Sequence, residues 1–199
     1  MNRIEERFGA LKEKGQKGLV VYMGAGDPDL EATRELALAF DVASVCIMPY
    51  YLKKCSGMLA GSTVKASTTI GFPHGGHTTQ IKVAEAERAI ADGCEELDMV
   101  VNISKVLSGD WDYVQHDIAA VIKVTHAAGQ KIKVIFENCY LNEKQKTKLC
   151  EICTELNADW IKTSTGYGSG GSTHEDLKLM CQNSGENVQV KAAGGVRDF

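Results

Sequence analysis

Short β-rich runs alternate with longer helical patterns along almost the whole chain of 199 residues. Each unit of one run and one helix takes about 25 to 35 residues. This alternation is typical of a parallel sheet covered by helices, because neighbouring parallel strands need a long crossover between them. The predicted strands are GLVVYMGAG (18–26), ASVCIMPY (43–50), TVKASTTIGF (63–72), ELDMVVN (96–102), KIKVIFENC (131–139), DWIKTST (159–165) and VQVKAAGGV (188–196).

Four helical patterns carry local signals for where they begin and end. Two of them end at glycines, Gly93 and Gly129, which are typical helix terminators. Asn142 is expected to cap the third, and Ser172 or Thr173 the fourth, where acidic residues follow in the first turn. The four patterns occupy residues 78–93, 111–129, 142–157 and 172–180.

Two architectures fit a parallel sheet with covering helices: an open doubly wound sheet and a (β/α)8 barrel. No Gly-x-Gly-x-x-Gly opens the first helix, which weakens a dinucleotide-binding fold. Polar residues inside or just past several strands favour the barrel, where catalytic groups cluster at the carboxyl ends of strands. We therefore predict one TIM-type barrel domain over residues 1–199; with seven strands, it lacks the last helix–strand–helix. The polar residues are Lys65, Asp98, Asn102, Glu137, Lys162 and Lys191.

Composition narrows the classes of partner. The chain is 44% hydrophobic and 24% charged, with a net charge of -4 and a pI of about 5.8. This balance argues against nucleic acid or an anionic membrane as the main partner. No apolar run reaches the roughly 18 residues of a membrane span.

Seven cysteines lie mostly at apolar positions, which predicts free core thiols in a reducing cytoplasm. The pair in CEIC, Cys150 and Cys153, lies in a helical pattern and is interpreted as structural. The motif HGGH, with His74 and His77, has no third ligand at a recognisable spacing, so no metal site is expected. Cys46 is interpreted as a core thiol rather than a nucleophile.

Lys162 and Lys191 end consecutive predicted strands. Neighbouring strands lie about 4.8 Å apart, so two inward lysines would interact. Each disfavours the charge of the other, and burial adds to this effect, which favours a neutral, nucleophilic amine that forms a Schiff base with a carbonyl. Asp98 would be an inward carboxylate that passes protons or orders a water. The alternative is that each of these is an ordinary surface residue at a strand end.

Two glycine-rich stretches follow the same strands. They are STGYGSGGST (164–173) and AAGGV (192–196). Such loops present backbone N–H groups, and the helix that follows the first stretch adds its dipole. Glycine also marks plain turns, so the loops alone are weak support. Together with the lysines they suggest a phosphorylated carbonyl substrate.

The stretch from about Ala43 to Phe199 resembles deoxyribose-phosphate aldolase, a class I aldolase family. KTSTG followed by KAAGG carries the resemblance, together with ASVCIMPYY, TVKASTTIGFPHGG and KVIFENCYL. It implies a reversible cleavage of 2-deoxyribose 5-phosphate to acetaldehyde and glyceraldehyde 3-phosphate, with no metal or cofactor, because the iminium is the electron sink. Met48 stands where the family usually has asparagine.

The resemblance also implies residue roles. Lys162 would form the Schiff base, Lys191 would suppress the charge of Lys162, and Asp98 would be the proton-relay carboxylate. The phosphate would be surrounded by Gly170, Gly171, Gly194 and Gly195.

Residues from about 1 to 38 are instead similar to the start of the tryptophan synthase alpha subunit, including AGDPDLE (25–31). This suggests a chimera with a junction near residues 38–43. Two other readings stay open: a different phosphate-binding barrel enzyme, and a truncated or chimeric barrel scaffold with little or no activity. An open barrel edge would also permit self-association into a homo-oligomer.

Overall fold

The computed structural model describes residues 29–195, so the first predicted strand, residues 18–26, lies outside the described residues. The other six predicted strands are all present and form one parallel sheet in the order β1-β2-β3-β4-β5-β6. Their bounds are β1 Ser44–Ile47, β2 Lys65–Ile70, β3 Glu96–Val100, β4 Lys131–Ile135, β5 Trp160–Lys162 and β6 Gln189–Lys191.

Strand order decides between the two predicted architectures. Each strand pairs with the next one in the chain, and β1 and β6 lie at the two edges of the sheet formed by residues 29–195. A doubly wound sheet reverses its strand order at a switch point, whereas the staves of a barrel follow one another in sequence. The fold is therefore a parallel α/β fold of the barrel type, as predicted; the missing last unit stays a prediction.

The four predicted helices are confirmed, and their capping residues are as expected. The Asn142 side chain accepts from the Gln145 N–H at 3.0 Å, and Gln145 returns the bond to the Asn142 N–H at 3.0 Å. Thr173 caps the last helix by accepting from the Asp176 N–H at 3.1 Å. The helices are α1 Leu30–Ala39, α2 Leu52–Leu59, α3 Thr79–Ala91, α4 Ile103–Ser108, α5 Trp111–Ala127, α6 Glu143–Glu155 and α7 His174–Asn183.

Side chains alternate between the two faces of each strand. On β3 and β4, Leu97, Met99 and Ile132 are fully buried in the hydrophobic core. The residues between them, such as Asp98 and Lys133, point to the opposite face, because successive strand residues face opposite sides. The inner face of the sheet therefore carries charged groups, while the outer face supplies the apolar core against the helices.

Helices α3 and α5 are joined by a buried ion pair. Lys82 Nζ lies 2.5 Å from Asp117 Oδ2 and also donates to the Val100 carbonyl at 2.9 Å. Neither side chain of the pair is more than 1% exposed. The pair therefore ties both helices to the end of β3. Among residues 29–195, no helix combines the length and the apolarity that crossing a membrane requires.

Candidate active site

Lys162, Lys191 and Asp98 come together, as predicted. Lys162 is the last residue of β5 and pairs in register with Lys191, the last residue of β6. Lys162 is 7% exposed, and its Nζ donates to Asp98 Oδ2 at 2.7 Å. Asp98, on β3, is 1% exposed. These groups form the centre of a charged cluster on the inner face of the sheet, where Lys162 and Lys191 end their strands and Asp98 lies in the middle of β3.

Two further members of the cluster were not predicted from the sequence. Lys133 Nζ donates to Asp98 Oδ1 at 3.0 Å and to Glu96 Oε2 at 2.5 Å, and both residues are buried. Asp98 therefore holds one lysine on each of its oxygens. The sequence could have indicated Lys133, because it lies within the apolar run KIKVIF just as Lys162 lies within DWIKTST.

The cluster holds three lysines and two carboxylates, and their charges shift the pKa values of its members. Burial alone would raise the pKa of Asp98, but Lys133, Lys162 and Lys191 hold that pKa below its usual range. Burial likewise opposes the charge of Lys133, yet Asp98 and Glu96 raise the pKa of Lys133 above its ordinary value. Asp98 and Lys133 are thus firmly ionised.

Lys191 behaves differently. Burial lowers the pKa of Lys191, and the nearby charges of Lys133 and Lys162 lower it further, against the opposing effect of Asp98. Lys191 therefore loses its proton at a lower pH than an ordinary lysine does, whereas Lys133 keeps its proton to a higher pH. The cluster can therefore combine a buried amine, a fixed carboxylate and a proton-exchanging lysine.

Cys46, on β1, borders the same cluster. Burial raises the pKa of the Cys46 thiol, and the Asp98 charge adds to this, against smaller opposing effects of Lys162 and Lys133. This agrees with its interpretation as a thiol that is not a nucleophile.

The two glycine-rich loops lie against each other beside this cluster. Ser172 N–H donates to the Gly194 carbonyl at 3.0 Å. The Thr163 hydroxyl donates to the Ala193 carbonyl at 3.1 Å and accepts from the Ala193 N–H at 3.0 Å. A Cβ added at Gly171 would collide with the Gly194 carbonyl, so only glycine fits this crossing.

Three of the four predicted glycines, Gly171, Gly194 and Gly195, lie at this crossing. Gly194 and Gly195 both have a positive φ, of 77° and 73°. Gly170 lies instead against Cys139, where an added Cβ would come within 3.2 Å of the Cys139 Cβ. The loops form one structure next to the lysines, which is the arrangement that a phosphate site at this position requires.

The other polar residues predicted inside or just past strands are Lys65, Asn102 and Glu137. Lys65 is the first residue of β2 and pairs with Glu95 at 2.5 Å. Asn102 caps α4 by accepting from the Lys105 N–H at 3.2 Å. Glu137 is buried just past β4.

The remaining histidines and cysteines were considered as metal ligands and as structural thiols. His77 Nδ1 lies 3.6 Å from Glu85 Oε1. Within residues 29–195, no group of three histidine, cysteine, aspartate or glutamate side chains could hold a metal ion. All seven cysteines are free thiols, and Cys150 and Cys153 are buried in α6, as their structural interpretation predicted.

In a parallel barrel-type fold, a buried cluster of lysines and carboxylates is an arrangement in which a lysine amine can act as a nucleophile. Comparison with known proteins agrees: residues 11–199 match the model of the DeoC/LacD family aldolases. The chain belongs to this family and is an aldolase. The match begins at residue 11 rather than near Ala43, and nothing in the comparisons supports the likeness of the N-terminal segment to tryptophan synthase.

Individual relatives are similar over most of the chain. The deoxyribose-phosphate aldolase of Rhodopirellula baltica is 73% identical over 173 residues, covering 87% of this chain and 72% of that protein. The solved structure of an aldolase named QR15 matches with a TM-score of 0.82 and 35% identity, covering 90% of this chain and 81% of that one. The tetrameric deoxyribose phosphate aldolase from Aeropyrum pernix matches with a TM-score of 0.78 and 26% identity, over 86% of this chain and 72% of that one.

Proposed function

We propose that this aldolase cleaves 2-deoxyribose 5-phosphate reversibly to acetaldehyde and glyceraldehyde 3-phosphate through a Schiff base on Lys162. The names of its relatives support the substrate. The observation that carries the mechanism is the buried Lys162 amine, 2.7 Å from Asp98 Oδ2 and in register with Lys191.

The first step is attack of the neutral Lys162 amine on the aldehyde carbon of the open-chain sugar. The C–N bond forms, the carbonyl oxygen takes a proton, and loss of water leaves an iminium. Lys162 Nζ donates to Asp98 Oδ2 before the substrate enters, and only the neutral amine can attack, so the proposed cycle needs a proton acceptor. Lys191, with its lowered pKa, is the proposed acceptor, with Asp98 ordering the water between them.

Cleavage follows from the iminium. A base removes the proton of the hydroxyl on the third carbon, and the bond between the second and third carbons breaks. Its electron pair moves towards the iminium nitrogen, which leaves an enamine on Lys162 and releases glyceraldehyde 3-phosphate. Protonation of the enamine carbon and addition of water then free acetaldehyde and regenerate the amine. All charges are balanced by proton transfers, so the proposed cycle uses no metal or redox cofactor.

The phosphate would bind at the crossing of the two glycine-rich loops. Backbone N–H groups around Gly170, Gly171, Gly194 and Gly195, together with the amino end of α7, would supply donors to its oxygens. The excess of lysines over carboxylates in the cluster would favour an anionic substrate beside it.

The experiment that tests this function is a cleavage assay. Wild-type protein is mixed with 2-deoxyribose 5-phosphate, and acetaldehyde release is followed by coupled reduction. We expect Lys162→Met to reduce the rate to background and Lys178→Met, which removes an exposed lysine on α7, to leave it unchanged. Equal rates in wild type and Lys162→Met would contradict the proposal.

Further features belong to the same proposal. We place the enzyme in a reducing cytoplasm, supported by its seven free thiols, and expect a homo-oligomer, since the Aeropyrum pernix relative is tetrameric. A single domain with a junction near residues 38–43 stays a prediction; these residues link α1 to β1, and Ala37 of α1 is fully buried in the common core.

A further inference from the structure

Glu137 is a buried carboxylate that the aldol chemistry above does not use. It lies two residues past the end of β4 and is 1% exposed. Its backbone is left-handed, with φ 59° and ψ 63°, which is uncommon for any residue other than glycine. A buried charge in an unfavourable backbone conformation persists only where its surroundings hold it and its charge is matched by donors.

The donors come from the start of the first glycine-rich loop. The Thr165 N–H donates to Glu137 Oε2 at 3.2 Å and, less closely, to Oε1 at 3.4 Å. The Thr165 hydroxyl donates a further hydrogen bond to Glu137 Oε2. In turn, the Tyr167 N–H donates to the Thr165 hydroxyl oxygen at 3.0 Å. The Glu137 carboxylate therefore fixes Thr165 directly and Tyr167 through the Thr165 hydroxyl, three and five residues after Lys162.

The next part of the loop packs directly on the same segment. A Cβ added at Gly168 would lie 3.1 Å from the Glu137 carboxyl carbon and 2.7 Å from Cys139 Sγ. Gly170 contacts Cys139 as well. The loop from Thr165 to Gly170 thus packs on residues 137–139, and its backbone path depends on Glu137.

A carboxylate beside a phosphate site repels the phosphate unless its own charge is already matched. Glu137 takes both donors of Thr165, so these cannot serve a bound phosphate. The N–H groups left for the phosphate lie further along, near Gly170 and Gly171. This division of donors indicates that Glu137 shapes the loop and does not itself touch the substrate.

We propose that Glu137 is a positioning residue for phosphate: by binding Thr165 it fixes the loop that carries Gly170 and Gly171, and so sets the preference for phosphorylated over unphosphorylated aldol substrates. The inference rests on the phosphate site of the proposed function.

The test uses a conservative pair at Thr165 and a change at Glu137. Thr165→Val removes the hydroxyl at nearly constant volume, Thr165→Ser keeps it, and Glu137→Gln removes the charge at constant size. Each is assayed for KM and kcat on 2-deoxyribose 5-phosphate and for kcat/KM on unphosphorylated 2-deoxyribose. Glu155→Gln, an exposed change at the end of α6, is the control.

We expect Thr165→Val and Glu137→Gln to raise KM for the phosphorylated substrate about tenfold, the effect of losing a hydrogen bond to a charged group. Their kcat and their activity on 2-deoxyribose should stay near wild type, and Thr165→Ser should restore KM. Equal losses on both substrates, or a Thr165→Ser variant as impaired as Thr165→Val, would overturn the positioning role. If Glu137→Gln does not fold, the Thr165 pair decides.

A titration with inorganic phosphate separates this inference from the aldolase proposal. If wild type cleaves no sugar, the proposed function fails, but calorimetric binding of phosphate still tests the loop. Binding by wild type that weakens about tenfold in Thr165→Val and returns in Thr165→Ser would support the positioning role. No phosphate binding by wild type, or equal binding by all variants, would overturn it.

Discussion

At the scale of single residues, the site contains three lysines but only two carboxylates. Asp98 accepts a hydrogen bond from Lys162 with one oxygen and from Lys133 with the other. Glu96 accepts a second hydrogen bond from Lys133. Lys133 therefore fixes the position of Asp98 and keeps it ionised. The pKa of Lys191 is lowered because Lys191 is buried and because its lysine neighbours are positively charged.

Lys133→Met is expected to lower the free energy of unfolding by about 3 to 5 kcal/mol, because it leaves Glu96 buried without its partner. The double variant Lys133→Met/Glu96→Gln should recover part of this loss, since no unpaired charge remains. Urea denaturation of both variants and of Lys123→Met, an exposed lysine on α5, gives the comparison. Wild-type stability in Lys133→Met would show that the pair contributes no such constraint.

Lys191→Leu is expected to remove one pH dependence of stability. The pKa of Lys191 is lowered in the folded protein from an ordinary value of 10.5, so between these two values the unfolded chain binds the extra proton. Wild-type stability from this group therefore rises with pH across that window. Relative to wild type, the variant should be most favoured at the neutral end, and its advantage should shrink as pH rises. Urea denaturation at several pH values between about 7 and 10 measures this; a constant difference would contradict it.

At the scale of elements, the site depends on loops that end neighbouring strands and bond to each other. The hydrogen bond from Ser172 to Gly194 and the paired bonds between Thr163 and Ala193 join the loop after β5 to the loop after β6. Helix α7 then begins directly after the first loop, with Thr173 as its cap. The glycines are needed where the two backbones come too close for a side chain.

Gly171→Ala tests this close approach. Its Cβ would meet the backbone of Gly194, which cannot rotate away, so the two loops must separate. We expect KM for 2-deoxyribose 5-phosphate to rise about tenfold or more, because the backbone donors lose their common geometry. The control is Gly57→Ala in α2, where an added Cβ meets nothing within 4 Å. An unchanged KM in Gly171→Ala would place the phosphate elsewhere.

At the scale of the whole molecule, much of the fold follows from local patterns. Alternating strands and helices, and the caps at Asn142 and Thr173, were predictable because they depend on residues close in sequence. Helices α1, α2 and α4 were not predicted; α2 and α4 have only eight and six residues, which give too few turns for a periodic pattern.

The structure brings together the three charged residues of the predicted site and adds contacts that were not predicted. Lys162 and Lys191 could be placed together because they end neighbouring parallel strands, and Asp98 could be placed near them because it interrupts the apolar run of another strand. The pairing of Lys133 with Asp98 and Glu96, and of Glu137 with Thr165, depends on residues about 30 to 40 positions apart in the chain. Such pairings depend on sheet register, which the sequence pattern does not specify to one residue.

The central claim is that Lys162 is a nucleophilic amine in an assembled pocket. The measurement is borohydride trapping with acetaldehyde, followed by peptide mass spectrometry of the wild type and of Lys162→Met. The account predicts one reduced adduct, on the peptide that contains Lys162, and none in the variant. A folded wild-type protein with no adduct, or with the adduct on another lysine while Lys162 stays unmodified, would contradict it.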